Sequence, residues 1–200
     1  MAQVVLASNN QHKLKEIYEI LADFEFDLIS MKEAGLEMDI EETGRTFEEN
    51  SYIKAKEVLE VTNKIVIADD SGLEVFALNN EPGVYSARYA GLECSDEKNN
   101  KKLLKMMKTV PSDQRQARFV SVITMLFPDG RKLVARGEVL GDIGYEEKGD
   151  TGFGYDPLFI YEKDKTFAEI SSEKKNEISH RSRSLMKLKE LLEDEINPSI

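Results

Sequence analysis

The sequence predicts an α/β protein with a mixed β-sheet flanked by helices, and three observations carry that reading. Residues 3–7 form a short apolar strand, followed by a polar turn and a helix with Leu14, Ile17, Leu21 and Phe24 at spacings of three and four. Residues 64–68 form a second apolar run of the kind buried on both faces of a parallel sheet. Residues 118–127 and 132–139 bracket Pro128-Asp129-Gly130, a strong hairpin signal, and that antiparallel pair makes the sheet mixed.

The totals bound the class of protein. Two hundred residues suit one domain spanning 1–200, either undivided or with a second lobe, and give ample length for a core. No internal repeat, low-complexity stretch or linker divides the chain. The apolar runs fall far short of a membrane span, and the start, Met1-Ala2-Gln3-Val4-Val5-Leu6, has no basic leader region. A single Cys94 points to a reducing cytoplasm, and with His12 and His180 as its only histidines the chain has no zinc cluster. A net charge of −11 argues against a protein that coats nucleic acid. An acidic chain that binds an anion must gather its cations locally or recruit a metal.

The elements follow in order. Ser8-Asn9-Asn10-Gln11-His12-Lys13 lies between the first strand and its helix, where free backbone N–H groups and the helix dipole favour an anion. The plainer alternative is that Asn10 caps the helix. No P-loop pattern is present. Residues 27–31 read as a strand and 37–42 as an acidic loop. Thr46-Phe47-Glu48-Glu49 reads as a reciprocal capping box for a helix running to about Leu59, with Asn50 and Lys54 on one face.

The run Lys64-Ile65-Val66-Ile67-Ala68-Asp69-Asp70-Ser71-Gly72 is expected to end as a strand at its two acids, which repel unless a cation such as Mg²⁺ lies between them. Residues 73–78 continue as strand, Asn79-Asn80 makes a turn, and residues 82–89 read as loop. Asp96 is expected to cap a helix with Leu103, Leu104 and Met107 inward and five lysines on a solvated face. The stretch 149–157 is rich in glycine, which permits close backbone approach to a ligand, and Phe153 or Tyr155 could stack on a base. Residues 158–161 and 166–170 read as strands. Four cations and His180 then crowd residues 174–183, before a last helix with Leu185, Leu188, Leu192 and Ile196 inward.

Six motifs in this order resemble the inosine triphosphate pyrophosphatase (Ham1-like) family. They are Ser8-x-Asn10-x-x-Lys13-x-x-Glu16, Thr46-Phe47-x-Glu49-Asn50-x-x-x-Lys54-Ala55, Ala68-Asp69-Asp70-Ser71-Gly72, Pro82-Gly83-Val84-Tyr85-Ser86-Ala87-Arg88, Gly152-Phe153-Gly154-Tyr155-Asp156-Pro157 and Ser179-His180-Arg181. Each is weak alone, whereas six in register over nearly the whole chain are very specific. Asn79-Asn80 stands where family members carry two glycines, and a turn tolerates either.

The resemblance implies an elongated mixed sheet with a central substrate cleft, a homodimer, and Mg²⁺-dependent hydrolysis of nucleoside triphosphates to the monophosphate and pyrophosphate. Deaminated purines (ITP, dITP, XTP) would be the substrates. By the same resemblance Ser8, Asn9, Asn10, Gln11, His12 and Lys13, with Lys54, would cradle the triphosphate. Glu41, Asp69 and Asp70 would hold Mg²⁺, Asp70 would deprotonate the attacking water, and Ser71 would touch the substrate. Phe153, Gly154, Tyr155, Asp156, Lys175, His180 and Arg181 would form the base pocket. How ligation divides between Asp69 and Asp70, and between Glu41 and Glu42, stays open at this level. Two alternatives stand beside this reading. One is a Maf-like pyrophosphatase for dTTP or modified pyrimidine nucleotides, against which the motifs at 153–156 and 179–181 speak. The other is a non-catalytic nucleotide sensor.

Overall fold

The computed structural model describes residues 2–22, 26–162 and 165–196. Among them, eight strands form one mixed sheet: β1 (Ala2–Leu6), β2 (Phe26–Ser30), β3 (Ile65–Val75), β4 (Glu81–Pro82), β5 (Gln116–Leu126), β6 (Lys132–Ile143), β7 (Phe159–Glu162) and β8 (Lys165–Thr166). The strand order is β2-β1-β3-β5-β6-β7-β8, with β4 on β3. β1 is parallel to β2 and to β3, whereas β3–β4, β6–β7 and β7–β8 are antiparallel. The helices are α1 (Gln11–Ile20), α2 (Phe47–Thr62), α3 (Asp96–Met106), α4 (Ser172–Ile178) and α5 (His180–Ile196). The chain divides into two compact units, 1–70 with 121–137 and 181–200, and 71–120 with 138–180. β3, β5 and β6 each contribute residues to both.

In the first unit, β1 pairs with β3 in the register Val4↔Ile65, Val5↔Val66, Leu6↔Ile67. Side chains alternate along a strand, so each strand must bury two faces. Val4, Leu6, Ile67, Ile123 and Met125 pack with Leu14 and Ile17 of α1 and Leu185 and Leu188 of α5. Val5, Ala7, Val66 and Ala68 pack instead with Ala55 and Val58 of α2. Each large side chain so buried contributes about 1.5–3 kcal/mol, which is why the strands read as unbroken apolar runs. The expected Phe24 and the Ile196 side chain lie outside the described residues.

Helix ends follow local chemistry. Asn10 caps α1 through its side-chain oxygen, which accepts the N–H groups of His12 and Lys13. Thr46 caps α2 by accepting the Glu49 N–H, but the expected reciprocal box does not close. The Glu49 carboxylate takes the Arg45 N–H, one residue earlier, at 2.6 Å. α2 runs past Leu59 to Thr62 and stops at Asn63 in a left-handed conformation. The Asn79-Asn80 turn has positive φ at both residues, which asparagine tolerates.

In the second unit the core gathers Leu73, Val75, Phe119, Val139, Phe159 and Phe167 with Leu103 of α3 and Met107 at its C-cap, and the expected Leu104 packs there partly buried. Phe159 lies 4.6 Å from Phe119 and 5.0 Å from Phe167, ring centre to ring centre. Arg115 is buried beside this core, and its guanidinium donates to the carbonyls of Met107, Val110, Ile143 and Gly144 at 2.7–3.2 Å. Arg115 therefore fastens the end of α3 to the end of β6.

Five sequence expectations change here. β3 does not end at the carboxylates: Asp69 and Asp70 lie inside a strand that continues to Val75, because each acid has its own cation and can stay in the sheet. Residues 76–78 form a single tight helical turn in place of strand. Residues 82–89, read as loop, begin in β4 and continue as a tight helical segment over Gly83–Arg88. Ser95, not Asp96, caps α3, and residues 167–169 turn helically after the two-residue β8.

Gly141 tests how closely β6 and β7 approach. A Cβ there would meet the Ile160 carbonyl oxygen at 2.4 Å and the Phe159 ring at 2.7 Å. Gly141→Ala is expected to cost about 1–3 kcal/mol, read as a lower urea midpoint at unchanged slope. An unmoved midpoint would show that the pair is looser than described.

Candidate active site

The acids of β3 meet two different sets of partners. Asp69 Oδ1 accepts the Ser121 hydroxyl at 2.7 Å, while Oδ2 lies 3.0 Å from Lys13 Nζ and 3.2 Å from Arg181 Nη2. Arg181, at the start of α5, is also paired with Glu16 of α1. Asp70 faces α2: its Oδ1 accepts Lys54 Nζ at 3.0 Å, and the same ammonium lies 2.5 Å from Glu42. Alternation along the strand explains the division, since 67 and 69 share the α1/α5 face and 66, 68 and 70 the α2 face.

The electrostatics diverge accordingly. Burial penalises the Asp69 carboxylate, but Arg181, Lys13, the Ser121 hydroxyl and Lys54 outweigh it and hold its pKa well below the usual range. Burial also penalises Asp70. Lys54 and Lys13 do not offset it fully and Glu42 adds repulsion, so the Asp70 pKa stands above its ordinary value. Burial opposes the Lys54 ammonium, yet Asp70 and Glu42 together hold its pKa above normal. Adjacent acids driven in opposite directions mark a division of labour.

Asn50, one turn before Lys54, fixes the loop that carries Glu42. Its Oδ1 accepts the Gly44 N–H at 2.8 Å, and a Cβ on Gly44 would lie 2.6 Å from that oxygen. The spacing of Asn50 and Lys54 marked the shared face; that Asn50 serves the backbone was not legible.

Among the described residues no three His, Cys, Asp or Glu side chains form a metal-holding group. Mg²⁺ does not require one, because it is commonly held by one or two carboxylates together with substrate phosphates and water. Asp70 Oδ2 is buried with no hydrogen-bond partner among the described residues, and Glu42 is its acidic neighbour. These hard oxygens fit Mg²⁺. Glu41, expected as a ligand, is exposed, and the loop presents Glu42 to Lys54 in its place. Asp69, also expected as a ligand, instead holds Ser121, Lys13 and Arg181 on the opposite face.

The other predicted residues fall as follows. The Ser8 hydroxyl accepts the Asn10 N–H at 3.2 Å, and Asn9 donates to Met38 O and Asp39. Gln11 and His12 are exposed in the first turn of α1. Arg181, expected in the base pocket, is enclosed with Glu16 and Asp69. Ser71 follows Asp70 in β3 and is half-buried.

In the second unit, Asp156 Oδ2 accepts the Phe153 N–H at 2.9 Å and Lys175 Nζ at 2.6 Å. The same ammonium lies 4.7 Å from the centre of the half-buried Phe153 ring. Gly152 has positive φ, and a Cβ there would strike the Asp156 carboxylate at 2.2 Å. Tyr155, offered with Phe153 as a stacking ring, is in the core, and its hydroxyl donates to Ser86 O at 2.8 Å. Its burial pushes the phenol pKa up. His180 stacks on Phe119 with ring centres 4.8 Å apart.

Comparison with known proteins gives matches over nearly the whole chain. The Ham1 family model matches residues 4–191. The chain is 52% identical to a dITP/XTP pyrophosphatase of Clostridium perfringens, over 96% of this chain and 98% of the relative. It is 47% identical to a protein of the same name from Bacillus subtilis, with the same coverage of both chains. The Ham1 protein structure from Staphylococcus aureus superposes with a TM-score of 0.86 at 48% identity, covering 96% of this chain and 99% of that one. A HAM1 structure from Coxiella burnetii gives 0.88 at 40% identity, covering 97% and 100%.

Asp69 is expected to act chiefly as a counter-ion. Asp69→Asn leaves Lys13 and Arg181 undercompensated and should cost about 3–5 kcal/mol in urea unfolding at pH 7. Because the folded pKa is depressed, this contribution is complete above the ordinary carboxyl value near 4 and fades as pH falls through the lower folded pKa. The gap between parent and variant should therefore narrow in strong acid. A gap that is constant with pH would contradict the assignment.

Proposed function

The chain belongs to the Ham1 family, and on that premise we propose that it hydrolyses non-canonical purine nucleoside triphosphates (dITP, XTP and ITP) to the monophosphate and pyrophosphate. One observation carries the assignment of chemistry: a buried Asp70 with an unpartnered oxygen and a raised pKa, held by Lys54 beside Glu42. Neither alternative raised above is favoured by relatives of this name at about half identity.

In this reading Asp70 accepts the proton of the water that attacks the α-phosphorus. One Asp70 oxygen is held by Lys54 and the other has no hydrogen-bond partner among the described residues, which leaves an acceptor for that proton. The new bond joins the water oxygen to the α-phosphorus, and the α–β anhydride bond breaks to release pyrophosphate. Lys54 orients Asp70 and places positive charge at the phosphates, while Lys13 adds charge from the helix start. Asp70 and Glu42 would hold Mg²⁺, which when bound offsets phosphate charge.

Base recognition is assigned to the second unit, where Phe153 offers a partly open ring and Lys175, Asp156 and His180 supply the polar groups. A 6-oxo purine needs hydrogen-bond donors, whereas the amino group of adenine would set donor against donor and leave polar groups unpaired. Ser8, Asn9, Asn10, Gln11, His12 and Ser71 belong to the proposal as substrate contacts, as do the homodimer and the cytoplasmic setting. No helix among the described residues is long and apolar enough to cross a membrane.

The test is pyrophosphate release from a panel of nucleoside triphosphates with Mg²⁺, using as rejected controls ATP, which lacks the 6-oxo group, and GTP, which adds a 2-amino group to it. Asp70→Asn should lower kcat by about 10²–10⁴-fold, while nucleotide binding measured without divalent metal changes little. Full turnover in Asp70→Asn would overturn the general-base role, and equal hydrolysis of ATP and ITP would overturn the substrate class.

A further inference from the structure

Helix α3 carries Asn99 and Asn100 in succession, although asparagine competes with the helical backbone for hydrogen bonds. Both are buried, at 2% exposure each, and each amide holds a separate backbone segment. Asn99 donates to Ser86 O and Ala87 O and accepts the Ala90 N–H at 2.7 Å. Asn100 donates to Gly154 O at 3.1 Å and to Glu147 at 3.3 Å. One turn earlier on the same helix, Asp96 Oδ2 accepts the Gly154 N–H at 2.7 Å. Residues four apart share a helix face, so this pair holds Gly154 by both its N–H and its carbonyl.

Gly154 itself has a φ of +63°, a conformation that glycine adopts at little cost. On the other side of Phe153, the Asp156 carboxylate takes the Phe153 N–H and leaves no room for a Cβ at Gly152. Phe153 is therefore fixed from two directions: by Asp156, which also holds Lys175, and by α3 through Gly154. Its half-buried ring is carried on a backbone held at both flanks, with the Lys175 ammonium 4.7 Å from the ring centre.

We propose that Asp96 and Asn100 are positioning residues for base selectivity, acting through the Gly154 backbone on the Phe153 ring. The inference rests on the assignment of Phe153 to base recognition. Side chains that only stabilised α3 would have no reason to grip both backbone polar groups of a residue 54 to 58 positions away.

The chain has no tryptophan, so Phe153→Trp supplies a single fluorophore at the loop in question. In that background Asp96→Ala and Asn100→Asp should red-shift the emission and lower its anisotropy. Asp96→Asn, which keeps an acceptor oxygen for the Gly154 N–H, should preserve both. With Phe153 restored, the ratio of kcat/KM for dITP to that for dGTP should fall about fivefold in Asp96→Ala and Asn100→Asp, and stay near the parent value in Asp96→Asn. Unmoved emission and anisotropy would overturn the clamp. Equal losses on both nucleotides, with the ratio unchanged, would overturn the selectivity role and leave only a structural one. A parent chain that hydrolyses neither nucleotide would overturn the functional reading and the selectivity claim with it, while the fluorescence still decides the clamp.

Discussion

Two carboxylates adjacent in a strand cannot share a face of the sheet, and the site in the first unit follows from that constraint. Asp69 turns toward α1 and α5, Asp70 toward α2. Neither acid could stay buried alone, because an uncompensated charge in the interior costs several kcal/mol. Each is therefore met by its own cations, and those cations come from helix positions that the strand alternation dictates. Lys13 and Arg181 project from the first turns of α1 and α5, and Lys54 from the buried face of α2.

The two sets differ in what they leave over. Around Asp69 the network is closed in charge, Lys13 and Arg181 against Asp69 and Glu16, and with the Ser121 hydroxyl it serves to join α1, α5, β3 and β5. Around Asp70 there is one close cation, a second acid and a carboxylate oxygen without a partner. An open set with surplus negative charge suits a reacting centre, whereas a closed one suits a scaffold. The same contrast recurs in the second unit: Tyr155 is committed to Ser86 and the core, while the Phe153 ring beside it stays partly open.

Much of this was legible in the sequence. The apolar runs at 3–7 and 64–68, the hairpin at Pro128-Asp129-Gly130 and the caps at Asn10 and Thr46 follow local rules, and the structure bears them out. The Asp69-Asp70 pair drew notice as a site, but the expectation of repelling acids at a strand tip ignored the period of two that separates them. Glu41 and Glu42 could not be told apart, because the choice depends on how Gly44 docks on Asn50, a contact made by backbone shape. The resemblance alone put Arg181 in the base pocket, and only the fold brings Glu16 and Asp69 to it. Asn99 and Asn100 were passed over for the lysines around them, although two poor helix formers in succession on a helix are themselves a signal.

The account turns on Asp70 and Glu42, rather than Asp69 and Glu41, facing the reacting phosphates. The most direct measurement is the enhancement of water-proton relaxation by Mn²⁺, standing in for Mg²⁺, with a non-hydrolysable dITP analogue. It would be made on Glu41→Gln, Glu42→Gln, Asp69→Asn and Asp70→Asn, each checked for folding by circular dichroism. Loss of the enhancement in Glu42→Gln and Asp70→Asn, with retention in folded Asp69→Asn and Glu41→Gln, is the predicted result. Loss in Glu41→Gln or Asp69→Asn, with Glu42→Gln behaving as the parent, would contradict it.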